Sequence, residues 1–239
     1  MLVHLANFLT SAMNEETDRA ANLILALLKR EELRGPEEDL REFRRGLGTL
    51  IFHLWVRYER ANALTVIDAW LGSRADNQTE LRHAAFCLRG WLVAGYDNDD
   101  PAKAEARKRA QTLAFSIIDR TATGIEAYFA LDPKDQTEER GGRATEDAAL
   151  LEQMSDQFFF AVGAPEIREG RQPKALGEIG YRKRFLDDNF RTFERVGDAA
   201  TPKAIYYMLQ LIEFLEPADP AAVFDLASHA LLKAGKLHG

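Results

Sequence analysis

The sequence predicts an all-α fold, and three observations carry that expectation. Apolar residues recur at three- and four-residue spacings along most of the chain. Several of these stretches open on a capping side chain followed by proline. No stretch alternates apolar and polar residues as a half-buried strand would. The arrangement expected is an irregular HEAT-like α-solenoid of antiparallel helical hairpins, with a single irregular helical bundle as the alternative.

The elements follow in order. Leu2, Leu5, Phe8, Leu9 and Met13 place a first apolar helix over 2–13. Asn14, Glu15 and Glu16 then read as a cap with acids in the first turn of a second helix, carried by Leu23, Ile24, Leu27 and Leu28. Pro36 opens a third, long stripe from Leu40 to Tyr58, weakened by Gly46 and Gly48 at roughly 1 kcal/mol each. Leu64 to Leu71 extend the pattern up to Gly72. Thr79 to Val93 predicts another helix, ending at Gly95.

Asp100-Pro101 is a cap and first helical residue for a helical stretch whose apolar face holds Leu113, Phe115, Ile117, Ile118, Ile125, Tyr128 and Phe129. Asp132 to Arg143, polar and containing Gly141-Gly142, reads as a mobile surface loop. A helix is expected from near Thr145 to Phe160. Gly163 to Lys174 is irregular, with Pro165, Gly170 and Pro173. A helix over about Gly180 to Val196 follows, then two more opened by Thr201-Pro202 and Asp219-Pro220. Together these make roughly nine or ten helices with short connections. Residues 1–239 are expected to form one helical-repeat domain with a sub-boundary at 163–175. The apolar helices at both ends leave two readings open, a segment of a larger protein or a native chain that simply starts and stops there.

Composition narrows the function classes. Hydrophobic residues make up 46% and charged residues 29%, a globular balance. The net charge of -7 argues against a general nucleic-acid binder, which needs a basic face. The single cysteine, Cys87, fits a reducing, cytoplasmic setting. The apolar N-terminus lacks a basic leader and a cleavage site, and no apolar run approaches the ~20 residues of a membrane span.

No chemistry-bearing motif stands out, so no catalytic, cofactor or metal residue is assigned and the expectation is a non-enzymatic protein. His83 and Cys87 share a helix face, but two ligands do not make a zinc site. Asp97, Asp99 and Asp100 lack the glycine and glutamate of a calcium loop: Ala102 and Lys108 stand there instead. Trp55, Trp70 and Trp91 fall on apolar stripes and read as core. Asp187 and Arg191 form an i/i+4 opposite-charge pair worth a few tenths of a kcal/mol.

The candidate binding surface is basic. Arg182, Lys183, Arg184, Arg191 and Arg195 crowd one helix, interleaved with Tyr181, Phe185, Phe190 and Phe193. Lys103, Arg107, Lys108 and Arg109 crowd another. If the two helices converge, the helix over 182–195 can hold a nucleic acid or an acidic peptide. That is the second reading, beside a protein-binding scaffold with an unidentified protein partner. An all-α enzyme with an unrecognised site is the third.

The stretch from Thr201 through Ile205-Tyr206-Tyr207-Met208 to Leu215, followed by Asp219-Pro220 to Leu231, resembles helical segments late in large bacterial ATP-binding proteins, some of them associated with defence against phage. It covers about forty of the 239 residues. The resemblance implies a helical accessory or sensing region attached to an ATPase core. It transfers no catalytic residue, because the chain has no glycine-rich loop ending in Gly-Lys-Ser/Thr.

Overall fold

A computed structural model describes residues 88–97, 100–163, 176–199 and 201–237, with isolated positions 19, 22, 23, 26, 27, 81, 82, 85 and 86. The chain divides into two compact units, Met1–Cys87 and Leu88–Gly239. In the first, the described positions are helical, including Leu23 and Leu27 of the expected second helix, although Leu23 is exposed. The helices expected over 2–13 and 40–71 lie outside the described residues, as does the sub-boundary expected at 163–175 apart from Gly163.

The second unit is all-helical, and no strand occurs among the described residues. Its helices are α1 (Pro101–Phe129), α2 (Glu138–Ala161), α3 (Ile179–Ala199), α4 (Pro202–Leu215) and α5 (Pro220–Leu237). Short 3₁₀ turns at Pro133–Asp135 and Glu216–Ala218 precede α2 and α5. Among the described residues no helix is long and apolar enough to cross a membrane.

Two expected caps act as their sequences predict. Asp100 Oδ1 accepts from the Lys103 backbone N–H at 3.4 Å, and Asp219 Oδ1 accepts from that of Ala222 at 3.1 Å. Thr201 also stands before its proline, but its buried hydroxyl makes no hydrogen bond. There the pre-set φ of Pro202 alone marks the helix start.

Two expectations are corrected. The apolar spacing over 79–93 predicts helix up to Gly95, yet helix gives way to turns at Arg89. Trp91 and Ala94 N–H groups bond back only three residues, to Leu88 and Trp91. The turns bury Trp91, Leu92 and Tyr96 together. Gly95 takes φ 73°, where a side chain would be strained.

The second correction concerns the polar stretch 132–143, read above as a loop. It is a 3₁₀ turn followed by the first turns of α2, which starts at Glu138 rather than near Thr145. Thr137 Oγ1 accepts from the Arg140 N–H, and Glu138 and Glu139 place negative charge at the positive end of the helix. These local gains outweigh the propensity cost of Gly141 and Gly142.

Neighbouring contacts set the directions of the helices. Tyr128 lies beside Gly141, and Asp147 lies so close over Gly124 that a methyl group there would overlap its carboxylate; α1 and α2 are therefore antiparallel. Arg182, early in α3, stacks on Phe214, late in α4, so this pair is antiparallel too. Alternate helices run the same way. Arg107 meets Asp188 and Arg195 meets Glu126, aligning α1 with α3. Lys183 meets Asp219 and Asp198 meets Lys233, aligning α3 with α5. Lys203 meets Glu152 and Tyr207 meets Phe159, aligning α2 with α4. The second unit thus holds one row of α1, α3 and α5 and another of α2 and α4.

The core lies between the rows. Phe158 of α2 sits edge-on to Phe193 of α3, with ring centres 5.5 Å apart, and 6.4 Å from Phe185. Tyr96 meets Phe185 edge-on at 5.9 Å. On α1 the buried face is largely small: Ala106, Ala110, Ala114 and Ala122 with Ile117, Ile118 and Ile125. Leu113, Phe115 and Tyr128 are half-buried, and Phe129 is exposed.

Candidate functional site

The two basic helices do converge, since α1 packs against α3. Much of their charge is turned to partners within the unit. Arg195 is the most heavily engaged. Its Nε donates to Asp119 at 2.7 Å, and Nη1 and Nη2 each donate to one oxygen of Glu126 at 2.9 Å. Thr123 and Asp198 complete its surroundings. The Glu126 hydrogen bonds, outweighing the effect of burial, raise its pKa further above the ordinary arginine value.

Arg182 donates to the Leu176 and Gly177 carbonyls and stacks on Phe214, and burial lowers its pKa. Lys183 bridges Asp187 and Asp219 at 3.0 and 2.9 Å. Arg184 donates to the Tyr96 carbonyl at 3.2 Å while keeping an exposed side chain. Arg191 is exposed, its guanidinium 5.7 Å from the centre of the Phe115 ring. Lys103 and Lys108 are exposed on α1.

Arg107 is buried. Its guanidinium lies 3.8 Å from the centre of the Tyr96 ring, and Nη1 donates to the Ala94 carbonyl at 2.6 Å. Tyr96 is the centre of this cluster: its hydroxyl donates to Asp188 at 2.6 Å and accepts from Gln111 at 3.1 Å. Burial, then the hydrogen bond to Asp188, raises its pKa well above the tyrosine range. The raised value means the neutral phenol is favoured by folding. Its contribution is complete below the unfolded pKa of about 10 and is lost as pH rises through the folded value. Tyr96→Phe should therefore flatten the alkaline fall in stability, read as urea midpoints at about pH 8 and about pH 11. An unchanged alkaline limb would assign that fall to other groups.

A second group of charges joins α3 to α5. Asp198 Oδ1 lies 2.9 Å from His229 Nε2 and 3.1 Å from Lys233 Nζ. Burial alone would raise the Asp198 pKa, but hydrogen bonds from Lys233 and His229 outweigh it and hold the carboxyl below its ordinary range. Beyond this joint, α5 turns Phe224, Leu231 and Leu232 to solvent, at 70%, 60% and 70% exposure. These three make an uncovered apolar face on one helix.

None of this was marked by a motif. Tyr96 and Asp188 are 92 positions apart, and Arg195 and Glu126 are 69 apart. Among the described residues no group of three His, Cys, Asp or Glu could hold a metal ion. His83, Cys87, Asp99, Trp55 and Trp70 lie outside the described residues, while Trp91 is buried, as its apolar stripe predicts. No protein-family model, curated protein or solved structure matches this chain.

Proposed function

We infer that the chain is a non-enzymatic, cytoplasmic helical scaffold that binds protein, built as a HEAT-like α-solenoid. The observation that carries this reading is the direction of the helices in the second unit. Successive helices are antiparallel, and alternate helices lie parallel in two rows. Stacked hairpins generate that pattern, each covering the apolar side of the one before. The uncovered Phe224, Leu231 and Leu232 supply the kind of surface that protein partners bury. The resemblance of 201–231 to late helices of bacterial ATP-binding proteins agrees with a sensing or accessory role.

The nucleic-acid reading has less support. Arg107, Arg182, Lys183 and Arg195 are held by internal partners, so fewer of the nine cations in the two basic clusters remain to displace counterions. A photo-crosslinking residue at position 224, introduced in the native cell, tests the protein reading. The expected result is one discrete protein adduct, suppressed by excess purified chain. Filter binding at about 0.05 and about 0.2 M salt tests the other; retention that falls steeply with salt would favour nucleic acid and overturn the scaffold reading.

A further inference from the structure

We propose that α5 is a charge-latched helix, which separates from α3 and α4 ahead of the α1–α4 body when the carboxylates of Asp198 and Asp219 are neutralised or screened. The first ground is how little apolar packing holds it. Of its described side chains, Val223, Leu226 and Ala230 are buried, whereas its three other large aliphatic or aromatic groups face solvent. The shorter α4 buries Ile205, Met208, Leu211, Ile212 and Leu215. Apolar burial scales with area, so the described side chains of α5 bury less apolar surface than those of α4.

The second ground is where the polar ties sit. At the start of α5, Asp219 binds Lys183 of α3 at 2.9 Å. About three and four turns later, His229 and Lys233 both meet Asp198 of α3. Between them, His229 and Ala230 lie over Gly197, where the two backbones come close. These ion pairs between α3 and α5 therefore all pass through one of two carboxylates, Asp198 and Asp219.

The third ground is that the latch can open alone. If Asp198 is neutralised, Arg195 keeps Asp119, Glu126 and Thr123, so α1 stays joined to α3. If Asp219 is neutralised, Lys183 keeps Asp187 on its own helix. The ties to α5 hold their cations closer to water than the Arg195 joint does, while the carboxylates of the Arg195 joint are the more exposed. The Lys183 and Lys233 side chains are 47% and 42% exposed, against 15% for Arg195. Salt screens these single ammonium ties, whereas Arg195 keeps two parallel hydrogen bonds to Glu126 that do not rest on charge alone. Both carboxyls are held below their ordinary pKa range. For Asp219 the hydrogen bond from Lys183 does this, with that from the Ala222 backbone; for Asp198 it is Lys233 and His229, against burial. The latch thus contributes above the unfolded carboxyl pKa of about 3.9 and is lost as pH falls through the lower folded values.

Hydrogen exchange on the full chain, read by mass spectrometry, tests the proposal. Asp198→Asn with Asp219→Asn removes both charges while asparagine still serves as a helix cap. Amides over 220–233 should exchange about tenfold faster, with those of α1–α4 unchanged. The unsubstituted chain should shift the same way between about 0.05 and about 1 M salt, which keeps the test available if the double variant folds poorly. Glu152→Gln, which removes the α2–α4 pair with Lys203, should leave α5 as it was. Acceleration of α1–α4 together with α5, or α5 protection indifferent to both salt and substitution, would overturn the latch.

Discussion

Phe158→Ala is expected to lower the stability of the Leu88–Gly239 unit by about 3–5 kcal/mol, a large share of the total for a domain of this size. Phe158 is 1% exposed and sits where α2 meets α3. Its loss removes the edge-on contact with Phe193 and the tilted contact with Phe185 and leaves a cavity between α2 and α3. The cavity cannot close cheaply, because Phe185 and Phe193 already pack against each other with ring centres 6.0 Å apart, and Tyr96 meets Phe185 edge-on. Urea unfolding checks this, with Trp91 as the reporter after Trp55 and Trp70 are changed to phenylalanine. Trp91 is the tryptophan of this unit. A loss below about 1 kcal/mol would mean that the core between the rows is looser than its ring geometry requires.

Arg195→Met is expected to cost about 1.5–3 kcal/mol at low salt. Methionine keeps much of the aliphatic volume and removes the charge. Asp119 and Glu126 then face each other, and Asp198, without the cation between them. Complete burial would make the loss larger. Here the Asp119 and Glu126 side chains are 51% and 40% exposed and can rehydrate, which sets the lower range. Arg195→Lys should recover only part of the loss, since an ammonium cannot give the two parallel bonds that Nη1 and Nη2 give to Glu126. Equal stability of Arg195→Lys and the unsubstituted chain would show that charge alone, without the fork geometry, joins α1 to α3.

The extent to which this architecture is legible in the residues depends on the range of the forces involved. Helix starts at Asp100-Pro101 and Asp219-Pro220 are legible because a cap and a proline act within one turn. The start of α2 is not, since Pro133, Gly141 and Gly142 outweigh Thr137 when read by composition. Apolar spacing also overextends the helix before Gly95, because periodicity does not distinguish a helix from turns that bury the same side chains. The basic cluster is legible as a cluster, but the partners of its arginines are not. Spacing puts Arg182, Arg184 and Arg195 on one helix, but their partners are Leu176, Tyr96 and Glu126. Which carboxylate an arginine meets is decided by how distant helices are stacked.

The parallel row has an electrical consequence. Each helix carries about half an elementary charge at either end, positive where it starts and negative where it stops. With α1, α3 and α5 aligned and α2 and α4 opposed, two of three dipoles cancel and one helix's worth remains. The unit therefore carries a built-in axis. Asp100 and Asp219 sit at its positive end, partly neutralising it. Such an axis orients an approaching charged molecule before any side chain touches it, with anions drawn to the starting end of the row and cations to the other.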